Sequence, residues 1–311
     1  MVIQFSDLSV SKPIWEKIRS QLEQKARPLE LALFNYFFES GSENGVFSTI
    51  EAYQNFDGGF GHGIEPDFYL PESSPMATSM ALRILSKLPK SGKRDTMVKK
   101  TITYLKTSFS VERMGWYAVP EQVNDFPHAP WWEYDKNEGK TVIDNSWGNP
   151  NAEILGYLCY YRDLLNNWDI VPLIEHAIHY FQKKQEFSSE HEIFCYLHLY
   201  HYVPFHNRKR LFPNLKQAID SLIELDSSKW YDYVPIPYKF ALFPEDIEPF
   251  ISSDCLHQSL FFLKGILEQQ YIIKPSWEWH SYPKHWIIAQ KEWMGVLTIE
   301  ALRLLSQYSA D

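Results

Sequence analysis

The chain has 311 residues, of which 45% are hydrophobic and 22% charged, and its formal net charge is −9. That composition supplies a large core and excludes wholesale disorder. The acidic balance excludes a phosphate-binding nucleic-acid protein, which needs clustered Lys and Arg.

Aromatic residues reach 16%, with 11 Trp, 19 Tyr and 20 Phe. Such a load fills cores and also lines pockets for flat, greasy or cationic ligands. Cys159, Cys195 and Cys255 are too scattered for a disulfide framework. The N-terminal stretch Met1 to Asp7 lacks the basic-then-apolar design of a signal peptide, and no stretch approaches the ~18 apolar residues of a membrane span. A soluble cytoplasmic protein is expected.

In chain order, an amphipathic helix is expected over Ile14 to Lys25, and a more apolar one over Pro28 to Glu39, opened by proline. Glu43 to Tyr53 reads as amphipathic again. Gln54 to Asp67 then forms a glycine-rich bend, with Gly58, Gly59, Gly61 and Gly63 among Asp57, His62, Glu65 and Asp67. An apolar helix follows over Ser74 to Leu88. The basic run Lys87 to Lys100, broken by Pro89, Gly92 and Asp95, reads as a solvated turn, and Asp95 to Thr107 as an amphipathic helix.

Further on, Asn151 to Leu165, Ser189 to Val203, Asp254 to Gln270 and Glu292 to Gln307 read as helices apolar on most sides. Ile170 to Lys184 and Leu211 to Leu225 carry charge on one side only. Helices apolar all round are buried on two sides, and amphipathic ones on one. Their alternation predicts an all-α chain folded as one α/α toroid, a barrel of inner and outer helices spanning residues 1 to 311. The long connectors Gly115 to Pro150 and Lys229 to Ser253 are rich in aromatics and read as functional loops.

Four groups carry candidate chemistry. Glu65 and Asp67, with His62 beside them, offer a carboxylic acid whose burial would let it protonate an alkene or a leaving oxygen. Asp57 reads as a turn cap. Asp254, Cys255 and His257 open a later helix, with Asp254 as its cap and His257 one turn on. Glu190, His191 and Glu192 follow the capping residue Ser189. His128, Trp131, Trp132, Trp147 and Trp293 belong to an aromatic set suited to cation stabilisation or to stacking on sugar rings. The chain has no nucleophile elbow, P-loop or dinucleotide fingerprint.

Gln54, Asp57, Gly58, Gly59, Phe60 and Gly61 make a Gln-x-x-Asp-Gly-Gly-Phe-Gly run that resembles the repeat of terpenoid cyclases and protein prenyltransferase β subunits. Tyr180, Phe181 and Gln185 echo it more weakly. The resemblance implies an α/α toroid, with Gln54 and Gly58 as scaffold. The run of carboxylates that initiates cyclisation, Asp-x-Asp-Asp, is missing, and so is the magnesium-binding Asp-Asp-x-x-Asp. Asp254 and Cys255 are adjacent, where the prenyltransferase zinc site has them two apart.

The expectation is an enzyme acting on an isoprenoid, a small hydrophobic substrate. Glu65 or Asp67 is the acid, assisted by His62, and Asp254 and His257 stand as further candidates. Trp131, Trp132, Trp147, His128 and Trp293 would contact the substrate. Zinc or magnesium is left open, as is the oligomeric state. The alternatives are a carbohydrate-active α/α barrel, using the same carboxylates and rings, and a non-catalytic binding toroid.

Overall fold

The computed structural model describes residues 4–309; Met1–Ile3 of the N-terminal stretch considered above lie outside them. Among the described residues the chain is all-α, apart from a two-stranded ladder of β1 (Tyr134–Asp135) and β2 (Lys140–Thr141). Among the described residues no helix is long and apolar enough to cross a membrane. The residues cluster into two compact units. One comprises the chain up to Thr49, Ile219–Glu278 and the chain from Pro283 onward; the other comprises Ile50–Ala218 and Trp279–Tyr282.

The first unit holds α1 (Lys12–Lys25), α2 (Pro28–Phe38) and most of α3 (Glu43–Ile50), and later in the chain α10 (Ser253–Gln270) and α11 (Pro283–Tyr308). Proline opens α2, as expected from its fixed φ. The helix α2 packs on α1 and α11, and α10 packs on α11. Trp15 stacks on Phe34 at 5.4 Å, and Arg27 and Glu30 form a buried pair at 2.7 Å. Two expectations need correction here. Ser252, not Asp254, caps α10, accepting from the Cys255 amide at 3.4 Å. The helix α11 begins at Pro283, well before Glu292, because a proline at N1 starts a helix even where the apolar pattern is still weak.

The second unit holds α4 (Pro75–Leu85), α5 (Gly92–Thr107), α6 (Gly148–Tyr160), α7 (Val171–Lys183), α8 (Glu190–Tyr202) and most of α9 (Phe205–Leu222). Ser74 caps α4 by accepting from the Ala77 amide at 3.1 Å, and Ser189 caps α8 by accepting from Glu192 at 3.4 Å. The basic run is not all turn. Ser91 caps α5, and Arg94 is buried, donating to the Leu88 carbonyl at 3.1 Å.

Burial follows the sequence pattern. In α6 every residue from Gly148 to Leu158 is buried, and α4 and α8 are buried on most sides. The charged helices α5 and α7 bury one face. The apolar helices pack in succession, α4 on α6 and α6 on α8, while α5 lies on α4 and α7 on α6. The α6–α8 approach depends on Gly156, where a Cβ would meet the His198 carbonyl oxygen at 2.9 Å. Ile154, Leu155 and Leu158 fill the rest of α6, each contributing about 1.5–3 kcal/mol by leaving water.

Candidate active site

The glycine-rich bend is fastened from both sides. Gln54 donates through Nε2 to the Gly58 carbonyl at 3.0 Å and to the Met97 carbonyl of α5 at 3.3 Å. It is therefore a scaffold residue, as its sequence position implies. Asp57 caps the turn, accepting from the Gly59 amide at 2.9 Å and from Ser73 Oγ at 2.7 Å. Gly58 has φ +94°, and a Cβ there would lie 2.3 Å from the Lys100 carbonyl oxygen, so only glycine fits. The Phe60 amide donates to Thr78 Oγ1 at 3.1 Å, tying the bend to α4.

Held this way, the bend buries two carboxyl groups. Glu65 is 3% exposed and Asp67 5% exposed. Trp279, fully buried, donates its indole N–H to Asp67 Oδ1 at 2.8 Å. The residues that follow pack on aromatic rings: Phe68 lies 5.1 Å from Trp132, and Tyr69 lies 6.2 Å from Trp279, both edge to face. The segment that brings Trp279 carries two non-glycine residues with positive φ, His280 (56°) and Tyr282 (43°). Backbone of this kind costs about 1–3 kcal/mol per residue and concentrates at functional sites.

A second segment pairs with the bend. The Ala129 amide donates to the Asp67 carbonyl at 2.8 Å, and the Tyr69 amide to the Pro127 carbonyl at 2.9 Å. This seats His128, which is buried. Its Nδ1 lies 2.6 Å from the Phe126 carbonyl oxygen and its Nε2 lies 2.8 Å from Glu133 Oε2. A carbonyl can only accept, so Nδ1 carries a proton. Nε2 faces the Glu133 carboxyl group across that short distance. Glu133 is exposed, so the contact joins a buried imidazole to a carboxylate at the surface.

The remaining candidates fall in different places. His62 is exposed, with φ 56°, and its Nε2 donates to Asn55 Oδ1 at 2.9 Å. Trp131 is half-buried next to Trp132. Trp147 is buried, donates to the Arg113 carbonyl at 3.1 Å and packs against His176 and Tyr180. Asp254, His257 and Trp293 belong to the first unit. Asp254 is exposed, His257 pairs with Asp7 at 2.8 Å, and Trp293 packs on Trp277 at 5.1 Å. His257 is thus engaged by Asp7 within its own unit, and Asp254 does not serve as the helix cap.

A second buried polar cluster went unnoticed in the sequence. Arg83 of α4 clasps Glu153 of α6 with two bonds of 2.9 Å. Tyr157 donates to Glu153 at 3.2 Å and lies 3.2 Å from His198 Nδ1, while His198 Nε2 is 3.6 Å from Glu153. Cys195 Sγ lies 3.9 Å from the same carboxylate. Burial pushes the Glu153 carboxyl upward, but the Arg83 charge, with His198 and two hydrogen bonds, outweighs it and draws the group down to about 2. Burial drives His198 down to about 4 against the pull of Glu153. Burial also raises the Cys195 thiol, so it is no nucleophile. Nearby, Glu192 is buried in an ion pair with Lys184 at 2.8 Å and accepts from the Gly148 amide at 3.2 Å. The signal for the main pair was available: Arg83 and Glu153 are the sole charges in two otherwise apolar helices.

Among the described residues no group of three or more His, Cys, Asp or Glu is placed to hold a metal ion. The chain matches no protein-family model, no curated protein and no solved structure.

Proposed function

We propose that the chain is an enzyme that performs acid-initiated chemistry on an isoprenoid, with Glu65 and Asp67 as the acid pair. One observation carries the reading: two carboxyl groups, each at least 95% buried, sit on one loop, one of them anchored by the Trp279 indole N–H, and the next residues, Phe68 and Tyr69, pack on Trp132 and Trp279. Low polarity around a carboxylic acid favours its protonated, proton-donating form. Aromatic faces attract the positive charge that develops when an alkene is protonated. In this reading Asp67 delivers the proton, Trp279 fixes its orientation, and the His128–Glu133 contact leads from the acid loop to the surface.

The Gln54–Gly61 repeat and the alternation of α4, α6 and α8 with α5 and α7 support membership of the cyclase and prenyltransferase type of fold, a closed ring of helices, which is part of the same proposal. A carbohydrate substrate is the second reading. It is favoured by the half-buried Trp131 and by Tyr282, 41% exposed and 5.6 Å from the His128 ring, as stacking faces.

A thermal-shift screen against terpene alcohols, prenyl diphosphates and oligosaccharides identifies the ligand class, since a ligand bound only by the native chain raises its melting point. Turnover of the compound found is then measured for Asp67→Asn and Glu65→Gln. The acid should show a loss of about 10²–10⁴-fold in one of the two; full turnover in both removes the proposal.

A further inference from the structure

Four buried tryptophans share a pattern, each donating its indole N–H to a protein oxygen. Trp116 donates to the Leu105 carbonyl at 2.7 Å, Trp147 to Arg113 at 3.1 Å, Trp230 to Glu224 at 2.8 Å and Trp279 to Asp67 at 2.8 Å. Trp132 breaks it. It is 3% exposed, and its Nε1 is buried with no hydrogen-bond partner among the described residues. The same is true of Trp277 Nε1, but that ring is half-buried and belongs to the other unit. A buried N–H without an acceptor loses its hydration for nothing in return, which is why such groups are rare in native structures.

The position of this donor gives it meaning. Trp132 stands edge to face on Phe68, the residue after Asp67. Its short helical turn, Pro130–Trp132, hangs from Ala129, whose amide is bonded to the Asp67 carbonyl. The indole is therefore fixed to the acid loop by both ring and backbone. Ligand sites combine apolar surroundings with a few polar groups that set orientation, and Trp132 places an uncommitted donor beside the acid loop.

We infer that the substrate carries an oxygen acceptor, a hydroxyl or ether oxygen, which takes the Trp132 Nε1–H. This rests on the isoprenoid reading above and narrows it to an oxygenated terpenoid rather than a plain hydrocarbon. Trp132 is then a specificity residue. It does no proton transfer; it holds the oxygen-bearing end while the acid acts.

Geraniol and myrcene, a ten-carbon alcohol and a hydrocarbon of the same skeleton, make the test, with binding followed by calorimetry in wild type and in Trp132→Phe. That variant keeps an aromatic ring and deletes the N–H. One neutral hydrogen bond corresponds to roughly tenfold in affinity. The expected result is that W132F weakens geraniol by about tenfold and leaves myrcene unchanged. Geraniol affinity unchanged within about twofold overturns the inference while leaving the isoprenoid reading intact. Wild type that binds neither probe overturns the inference, while the isoprenoid reading stands or falls on the thermal-shift screen, which includes the prenyl diphosphates. A second measurement does not depend on the variant folding. The indole N–H resonance of Trp132 in wild type, identified by its proximity to the Phe68 ring, should move downfield with geraniol and stay in place with myrcene; a resonance indifferent to both counts against the assignment.

Discussion

Two regions of the second unit bury carboxylates, and they do so by opposite means. Glu153 lies between helices and is met by a guanidinium, a phenol and an imidazole. Asp67 lies on a loop and is met by an indole N–H among aromatic rings. The first arrangement fixes the charge, because a full positive charge with two parallel bonds holds the carboxylate ionised. The second holds the position of the group without supplying a cation through that bond. One places a full positive charge on the carboxylate, and the other includes a neutral N–H donor. Burial by itself does not make a catalytic acid; the kind of partner decides.

Removing the cation should have the largest effect. Arg83→Met leaves Glu153 buried without its main counter-charge and should cost about 3–5 kcal/mol in urea unfolding. The Glu153 contribution in wild type is complete above its unfolded value of 4.5 and is lost as pH falls towards about 2. Arg83→Met should abolish that acid-dependent loss. A cost below about 1 kcal/mol would mean that the helical cluster is no lock, and the contrast between the regions would collapse.

Next in size is a pH effect from the same cluster. The folded chain holds His198 at about 4, against 6.5 for an ordinary histidine. Between those values the unfolded chain binds the extra proton, so stability falls as pH falls through the window, by up to about 3 kcal/mol. His198→Asn should flatten that slope when unfolding is followed from pH 7 to pH 4. An unchanged slope assigns the acid sensitivity to other groups.

On the loop side, Gly58→Ala must push a Cβ towards the Lys100 carbonyl and keep a positive φ. It should cost about 1–3 kcal/mol, read as a lowered melting temperature. The smallest stability change is expected for Trp279→Phe. The ring still packs against Tyr69, and the loss of one hydrogen bond to a carboxylate corresponds to about 1–3 kcal/mol, towards the low end if the group can take up a proton instead. If Trp279→Phe proved as damaging as Arg83→Met, the two burial modes would not differ as described.

The local features of this fold were legible in the sequence, and the long-range ones were not. Ser74 and Ser189 cap their helices because capping needs only a hydroxyl three residues ahead of an amide. Asp57 and Gln54 could be read as scaffold for the same reason: each has a partner close by on the bend itself, the Gly59 amide and the Gly58 carbonyl. The cap of α10 was misread because Ser252, Ser253 and Asp254 all suit the role, and the choice depends on how the chain enters the helix. Arg83 and Glu153 are 70 residues apart, and no periodicity connects them. Trp279 lies 212 residues from Asp67. Its role was invisible in a sequence with so many tryptophans, although Glu65, Asp67, His128 and Trp132, which share the acid region, were all named from composition and spacing.

Trp279–Tyr282 fold with the second unit, while the chain on both sides of them folds with the first. Dissection by truncation therefore has a hidden hazard. A fragment covering residues 50–218 would include every helix core that packs around Glu153 and still lack the indole that orients Asp67. Such a fragment could refold and remain inert, and adding back a peptide with the Trp279–Tyr282 sequence would be the control that separates a missing strap from a missing enzyme.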